Sequence, residues 1–158
     1  MQARAALHGV TKRDTTGRGE LSEFEIITAL LRSGRTVLRP VSAGLRYDLV
    51  IDNRDGTFDR VQCKTGVLRR GAIVFRVANA DGRRPSGVPY HGQIEAFGVF
   101  CEETGEAYLV PMSAVEGTRF SARLRVVGTK NGQTKRIRGA NQFAIRLASS
   151  PGTTGSTR

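Results

Sequence analysis

The sequence predicts a mixed α/β fold of the α+β kind: an early helix, a sheet of about five strands, and short late elements. Three observations carry that reading. Apolar residues recur at helical spacing over residues 19–33, shorter runs with period-two alternation follow, and Gly, Pro, Asn and Asp cluster between those runs.

In the 19–33 stretch, Leu21, Phe24, Ile27, Leu30 and Leu31 fall three and four residues apart and predict one buried helix face. Glu20 and Glu23 are placed in its first turn, where acids suit the positive helix end, and Gly34 supplies the stop. Residues 36–39 form a brief strand before Pro40. Residues 47–52 alternate, with Tyr47, Leu49 and Ile51 on one side and Asp48, Val50 and Asp52 on the other. Asn53-Arg54-Asp55-Gly56 is a turn, and residues 58–64 form the returning strand. Residues 72–78 make a third strand, with Ile73, Phe75 and Val77 on one face. Residues 79–89, with two glycines and two prolines, predict a loop. Strands follow at 96–101 and 107–110, with a short helix starting in 111–115. A basic hairpin is expected in 119–135 around Lys130-Asn131-Gly132, and a last strand at 143–147. Residues 1–148 read as a single domain, and 149–158, rich in Ser, Thr, Gly and Pro, as a disordered tail.

Composition removes several functions. The 158 residues carry 25 Lys and Arg against 14 Asp and Glu, a net charge of +11, which points to a polyanion such as nucleic acid. No apolar run is long enough to span a membrane. The opening Met1-Gln2-Ala3-Arg4 lacks the core of a secretory signal, so a cytoplasmic location is expected, in a bacterial, phage or organellar nucleoid setting. Cys63 and Cys101 are too few for a disulfide scaffold and have no CxxC spacing, and His8 and His91 are too few for His-based metal sites. No phosphate-binding Walker loop occurs.

The hairpin carries the chemistry. Closing the turn with Asp52 opposite Phe58 sets Asp48 opposite Gln62, and alternation puts Asp48, Gln62 and Lys64 on one sheet face. Opposed side chains there have Cβ atoms about 5 Å apart, close enough to share a cation. A hard ion such as Mg²⁺ takes oxygen ligands and keeps several waters, so Asp48 and the side-chain carbonyl of Gln62 suffice as a start. The Lys64 ammonium beside them can orient a water and offset phosphate charge. A helix acid, Glu23 or its rival Glu20, would complete the set. Cys63 points the other way and reads as core, as do Tyr90 and Phe97.

These residues resemble the core of the PD-(D/E)XK nucleases, in which a helix glutamate, a strand Asp and a (D/E)-x-K strand assemble a Mg²⁺ site. The closer resemblance is to the group I intron-associated homing endonucleases of that superfamily, whose pattern reads here as Arg18-Gly19-Glu20-Leu21-Ser22-Glu23, Arg46-Tyr47-Asp48-Leu49-Val50 and Val61-Gln62-Cys63-Lys64. Tyr108-Leu109-Val110-Pro111 is similar as well, and the resemblance spans roughly residues 12 to 147. Tyr47 stands in the Pro place and Gln62 replaces the second acid, which removes a negative charge and lowers the expected metal affinity. The resemblance implies a restriction-endonuclease-like core, a central mixed sheet with flanking helices. It favours Glu23 over Glu20 and assigns Glu23, Asp48, Gln62 and Lys64 as the site, with Mg²⁺, or Mn²⁺ in its place.

The expected activity is therefore site-specific cleavage of duplex DNA, with a Holliday-junction resolvase or restriction-like nuclease as the same-fold alternative and a non-catalytic nucleic-acid-binding module as the rival class. Cutting two strands with one active site per chain predicts a homodimer or tetramer. Arg83, Arg84, Arg119, Lys130, Lys135 and Arg136, with Arg69, Arg70, Arg123, Arg125 and Arg138, are candidate phosphate contacts; Asn131, Gln133 and Arg136 could also read bases.

Overall fold

The computed structural model describes residues 15–81, 84–127 and 138–148. It contains helix α1 (Thr15–Arg32) and strands β1 (Thr36–Leu38), β2 (Leu49–Asp52), β3 (Phe58–Arg69), β4 (Ala72–Arg76), β5 (Ala78–Asp81), β6 (Arg84–Pro89), β7 (Ala96–Cys101), β8 (Glu106–Pro111) and β9 (Ser121–Arg125). Short 3₁₀ turns cover Met112–Val115 and Ala140–Gln142. Seven strands form one mixed sheet, and β5 and β6 pair separately as a ribbon.

β3 is the hub. Its first residues pair antiparallel with β2, its middle pairs parallel with β7 from Val61 to Gly66, and its end pairs antiparallel with β4. β1 extends the sheet beyond β2, β8 pairs with β7, and β9 pairs with β4. The β2–β3 register is the one the turn predicts, Asp52 opposite Phe58 and Leu49 opposite Val61. Arg54 and Gly56 take positive φ in that turn, which is closed by Asn53 N donating to Thr57 O at 3.1 Å.

Each sheet face buries its own apolar cluster. Under α1 lie Leu49, Ile51, Val61, Ala96, Phe100 and Ala107, packed on Ile26 and Leu30. On the opposite face Ile73, Phe75, Val77, Tyr90, Phe97, Val99, Tyr108, Val110 and Leu124 pack together. Gly98 on β7 lets the helix sit close: a Cβ there would lie 2.8 Å from Cγ2 of Ile26.

Several expectations are corrected. α1 begins at Thr15 rather than Gly19, so its first turn has no acid, and Glu20 and Glu23 ride further along it. Arg18, paired with Glu102 at 3.6 Å, ties down that early start. The helix ends as read: Gly34 has φ of 80°, and Gly34 N and Arg35 N donate to Leu31 O and Leu30 O. The buried face runs through Ser22, Ile26 and Leu30, while Leu21, Phe24 and Leu31 are about half exposed. Ser22 misleads a hydrophobicity pattern because its hydroxyl is satisfied internally, donating to Arg18 O at 2.8 Å and meeting Thr65 Oγ1 at 2.7 Å.

Tyr47 packs against the cluster opposite α1 rather than with Leu49 and Ile51, because regular pairing starts only at Leu49. Within the loop expected at 79–89, residues 79–81 and 84–89 are instead paired strands of the β5–β6 ribbon, where Gly87 at φ 70° passes so close to Asn79 O that any Cβ would collide with it. The last strand expected at 143–147 is a single bridge, Ala144 to Tyr108, held by Leu109 N to Phe143 O and Ile145 N to Ala107 O. Of the basic hairpin expected at 119–135, residues 121–125 form β9, which pairs with β4, while residues 128–135 and the tail at 149–158 lie outside the described residues.

The helix face makes a direct prediction. Leu30→Ala should cost about 3 kcal/mol in urea unfolding, whereas Leu31→Ala should change stability by less than about 0.5 kcal/mol. The periodicity of the apolar residues alone predicts equal costs.

Candidate active site

Asp48 stands one residue before β2, where its backbone N–H still donates to Val61 O at 2.9 Å. That bond is out of step with the hairpin register, in which Leu49 already faces Val61, yet it holds the chain against β3 with Asp48 beside Gln62. The contact is direct: Gln62 Nε2 donates to Asp48 Oδ2, and Cys63 N donates to the same oxygen at 2.7 Å. Both bonds fall on Oδ2, which leaves Oδ1 for a further partner.

Burial pushes the Asp48 carboxyl above its usual range; the Cys63 N–H, the Lys64 charge, the Gln62 amide and the Arg39 charge pull the other way without cancelling it. The carboxylate is thus held where its charge is under-compensated, a setting that favours an added cation.

Lys64 follows two residues along β3. Its Nζ donates to the Tyr90 hydroxyl at 3.0 Å and lies 5.1 Å from the centre of the Tyr90 ring. Tyr90 is only 2 % exposed and meets Phe97 edge to face at 5.5 Å, so the ammonium rests on a rigid support. Arg46 stacks on the same ring at 4.1 Å and donates to the carbonyls of Val88 and Pro89, so a second cation holds Tyr90 in place. Sequence reasoning places Tyr90 in the core; its second role, seating Lys64, has no local pattern.

Glu23 reaches the site from α1. It lines, with Asp48, Tyr47, Arg39 and residues of the 40–45 loop, a recess of about 170 Å³. Glu20 does not line it. The charges of Asp48 and Glu23 both add to the effect of burial in raising the Cys63 thiol well above its usual pKa, so both acids lie near that side chain. Cys63 itself packs into the cluster beneath α1, as expected of a core residue. Glu23 is engaged: Arg39 lies 2.6 Å from its Oε1.

The donor set fits a hard divalent ion. Glu23 and Asp48 line one recess and Gln62 contacts Asp48, a set of oxygen-bearing side chains of the kind such ions take, and they need few protein oxygens because they keep water. Among the described residues no group of three or more His, Cys, Asp or Glu is placed to hold a metal. Gln62 turns its nitrogen to Asp48; presenting its oxygen to a cation takes a half-turn of the amide, which exchanges the two ends of a nearly symmetric group. The larger hollows, of about 520 and 700 Å³, flank residues 142–148 and contain none of Asp48, Gln62 or Lys64.

Of the predicted DNA contacts, Arg119 is exposed. Arg84 opens β6, and its side chain, with Arg83, Lys130, Asn131, Gln133, Lys135 and Arg136, lies outside the described residues. Arg76, Arg123 and Arg125 are exposed on the face of the β4–β9 ribbon opposite Ile73, Phe75, Ala122 and Leu124. His91 faces solvent.

Comparison with known proteins gives matches to a family model and to a solved structure. A model of the PD-(D/E)XK endonuclease family matches residues 13–146. No curated protein matches the chain. The structure of a bacterial homing endonuclease, I-Ssp6803I, superposes with a TM-score of 0.60 at 20 % identity, covering 83 % of this chain and 86 % of that one.

The raised Asp48 pKa gives a stability test. An acid that binds its proton more tightly when folded costs stability once ionised, and that cost fades as pH falls below the folded pKa toward the ordinary value of 3.8. Asp48→Asn, whose carbonyl can still accept from Cys63 N, should therefore melt higher than wild type at neutral pH. Thermal scans at successively lower pH should show that advantage shrinking.

Proposed function

The chain belongs to the PD-(D/E)XK endonuclease family, and on that premise we propose a Mg²⁺-dependent, site-specific endonuclease of duplex DNA, homing-endonuclease-like, that cuts by attack of water on phosphorus. As a member of that family it is a phosphodiester hydrolase whose substrate class is DNA. The observation that carries the finer reading is the contact of Gln62 with Asp48, with Lys64 two residues along the same strand.

When bound, a divalent cation supplies positive charge beside a non-bridging phosphate oxygen and lowers the pKa of water. Asp48 and Glu23 bring carboxylates to hold it, and Gln62 brings a neutral carbonyl oxygen. A neutral third ligand leaves less negative charge than a second strand acid would, so millimolar rather than micromolar Mg²⁺ is the expected working range. Mn²⁺, with a similar preference for oxygen, should substitute.

Lys64 carries the remaining work. Its ammonium has three donors, one of them spent on the Tyr90 hydroxyl. The others are free to orient the attacking water and to offset charge that develops on the phosphate. Tyr90 fixes where that charge sits, so the stabilisation needs no rearrangement at the moment of reaction.

Arg119, Arg83, Arg84, Lys130, Lys135 and Arg136 are read as phosphate contacts, with the exposed Arg123 and Arg125 continuing the basic surface and Asn131 and Gln133 as base readers. None of the helices is long and apolar enough to cross a membrane among the described residues. Two-strand cleavage calls for a second copy of the chain, as a homodimer or tetramer. The exposed Leu21, Phe24 and Leu31 on α1 support a self-association surface there.

The test is cleavage of plasmid and randomised linear duplexes with Mg²⁺, Mn²⁺ or EDTA. Wild type should cut in either metal and fall silent in EDTA. Lys64→Ala should lose at least about 100-fold in rate while binding DNA as before; undiminished cutting would refute the assignment of Lys64. A four-way junction cut in preference to linear DNA would identify a resolvase instead. For assembly, Leu31→Glu should lower the molar mass seen by light scattering to that of a smaller species, without loss of the fold by circular dichroism.

A further inference from the structure

Arg39 is a cation that the motif-based reading does not use. It follows β1 directly and precedes Pro40. One terminal nitrogen lies 2.6 Å from Glu23 Oε1, and the guanidinium carbon stands 5.8 Å from the centre of the Phe24 ring. Its side chain is 57 % exposed while that of Glu23 is 23 % exposed, so the arginine is the member of the pair that solvent or a ligand can reach. It lines the same recess as Glu23 and Asp48, and its charge is felt at both Asp48 and Cys63.

We propose that Arg39 is a displaceable counter-ion: it holds Glu23 in the metal-free protein and turns to a DNA phosphate when Glu23 takes a divalent cation. This rests on the reading of Glu23 and Asp48 as cation ligands. The charges explain why both halves go together. The formal charges of Glu23, Asp48, Arg39 and Lys64 sum to zero, with Arg39 lining the recess and Lys64 acting on Asp48 from β3. A divalent cation arriving alone meets two resident cations and must break an ion pair. A phosphodiester arriving with it offers the released guanidinium a partner that matches its paired N–H donors. Metal and DNA binding therefore reinforce each other through Arg39, and that coupling is reciprocal. The Phe24 face limits how far the guanidinium travels, since cation–π attraction keeps it beside the recess.

The experiment pairs Mn²⁺ titration of the DNA-free protein by calorimetry with Mn²⁺-dependent cleavage of duplex DNA, on wild type, Arg39→Gln and Arg39→Lys. Losing an ion pair of this exposure should let Arg39→Gln bind Mn²⁺ up to about fivefold more tightly without DNA. The same variant should cut about 100-fold more slowly, because a phosphate ligand has gone. Arg39→Lys, which keeps the charge but not the fork, should fall between on both. A purely structural role would weaken both functions together and lower the melting temperature, which should instead stay within a few degrees of wild type. Unchanged Mn²⁺ affinity in Arg39→Gln, or undiminished cleavage, would overturn the proposal while leaving the metal site standing. Wild type that binds no Mn²⁺ would overturn the site reading itself, and the proposal with it.

Discussion

Everything at the candidate active site depends on the pairing of β2 with β3. A two-stranded register is an all-or-none constraint, because a slip of one residue carries every side chain to the opposite face. The turn at residues 53–57 sets it, with backbone and side chains of Asp52, Asn53, Asp55 and Thr57 closing the reversal. Asp48 lies just beyond the last regular pair, where the chain still donates to Val61 but no longer follows the sheet. A half-buried carboxylate there is anchored by hydrogen bonds from a backbone N–H and a side-chain amide rather than by a direct ion pair.

β3 separates two environments, and the site uses both. Val61, Cys63 and Thr65 turn to α1, while Lys64 meets Tyr90 in the opposite cluster. Glu23 arrives from the helix side and Lys64 is supported from the far side. The acids and the amine are thereby kept apart from direct pairing: Lys64 spends its described hydrogen bond on a phenol, and Glu23 spends its own on Arg39. Direct ion pairs between them would consume the charges that phosphodiester chemistry needs.

The legible parts of the sequence are those whose information is local. The Asn53–Gly56 turn and the alternation on either side determine the register, and with it the approach of Asp48 to Gln62. The family resemblance adds Glu23, which no periodicity distinguishes from Glu20. What stays hidden is tertiary. Ser22 occupies a core position because Thr65 and Arg18 satisfy its hydroxyl, so the apolar pattern is displaced by about one residue from the buried face. The β5–β6 ribbon hides within a run of glycines and prolines because Gly87 makes close approach possible where composition suggests only a turn. Tyr90 and Arg39 are single residues far along the chain from the groups they serve, and nothing near them in sequence announces the partner.

The tight seat of α1 on β7 reaches further than stability. Gly98 leaves Ile26 no slack, and Ile26 sits about one helical turn from Glu23. The helix therefore acts as a short lever whose fulcrum is an achiral residue on a central strand. Bulk added at that fulcrum would tilt the lever and move Glu23, midway along it, relative to Asp48. Drift in the hydrophobic interior can in this way retune catalysis without a single change among the polar groups.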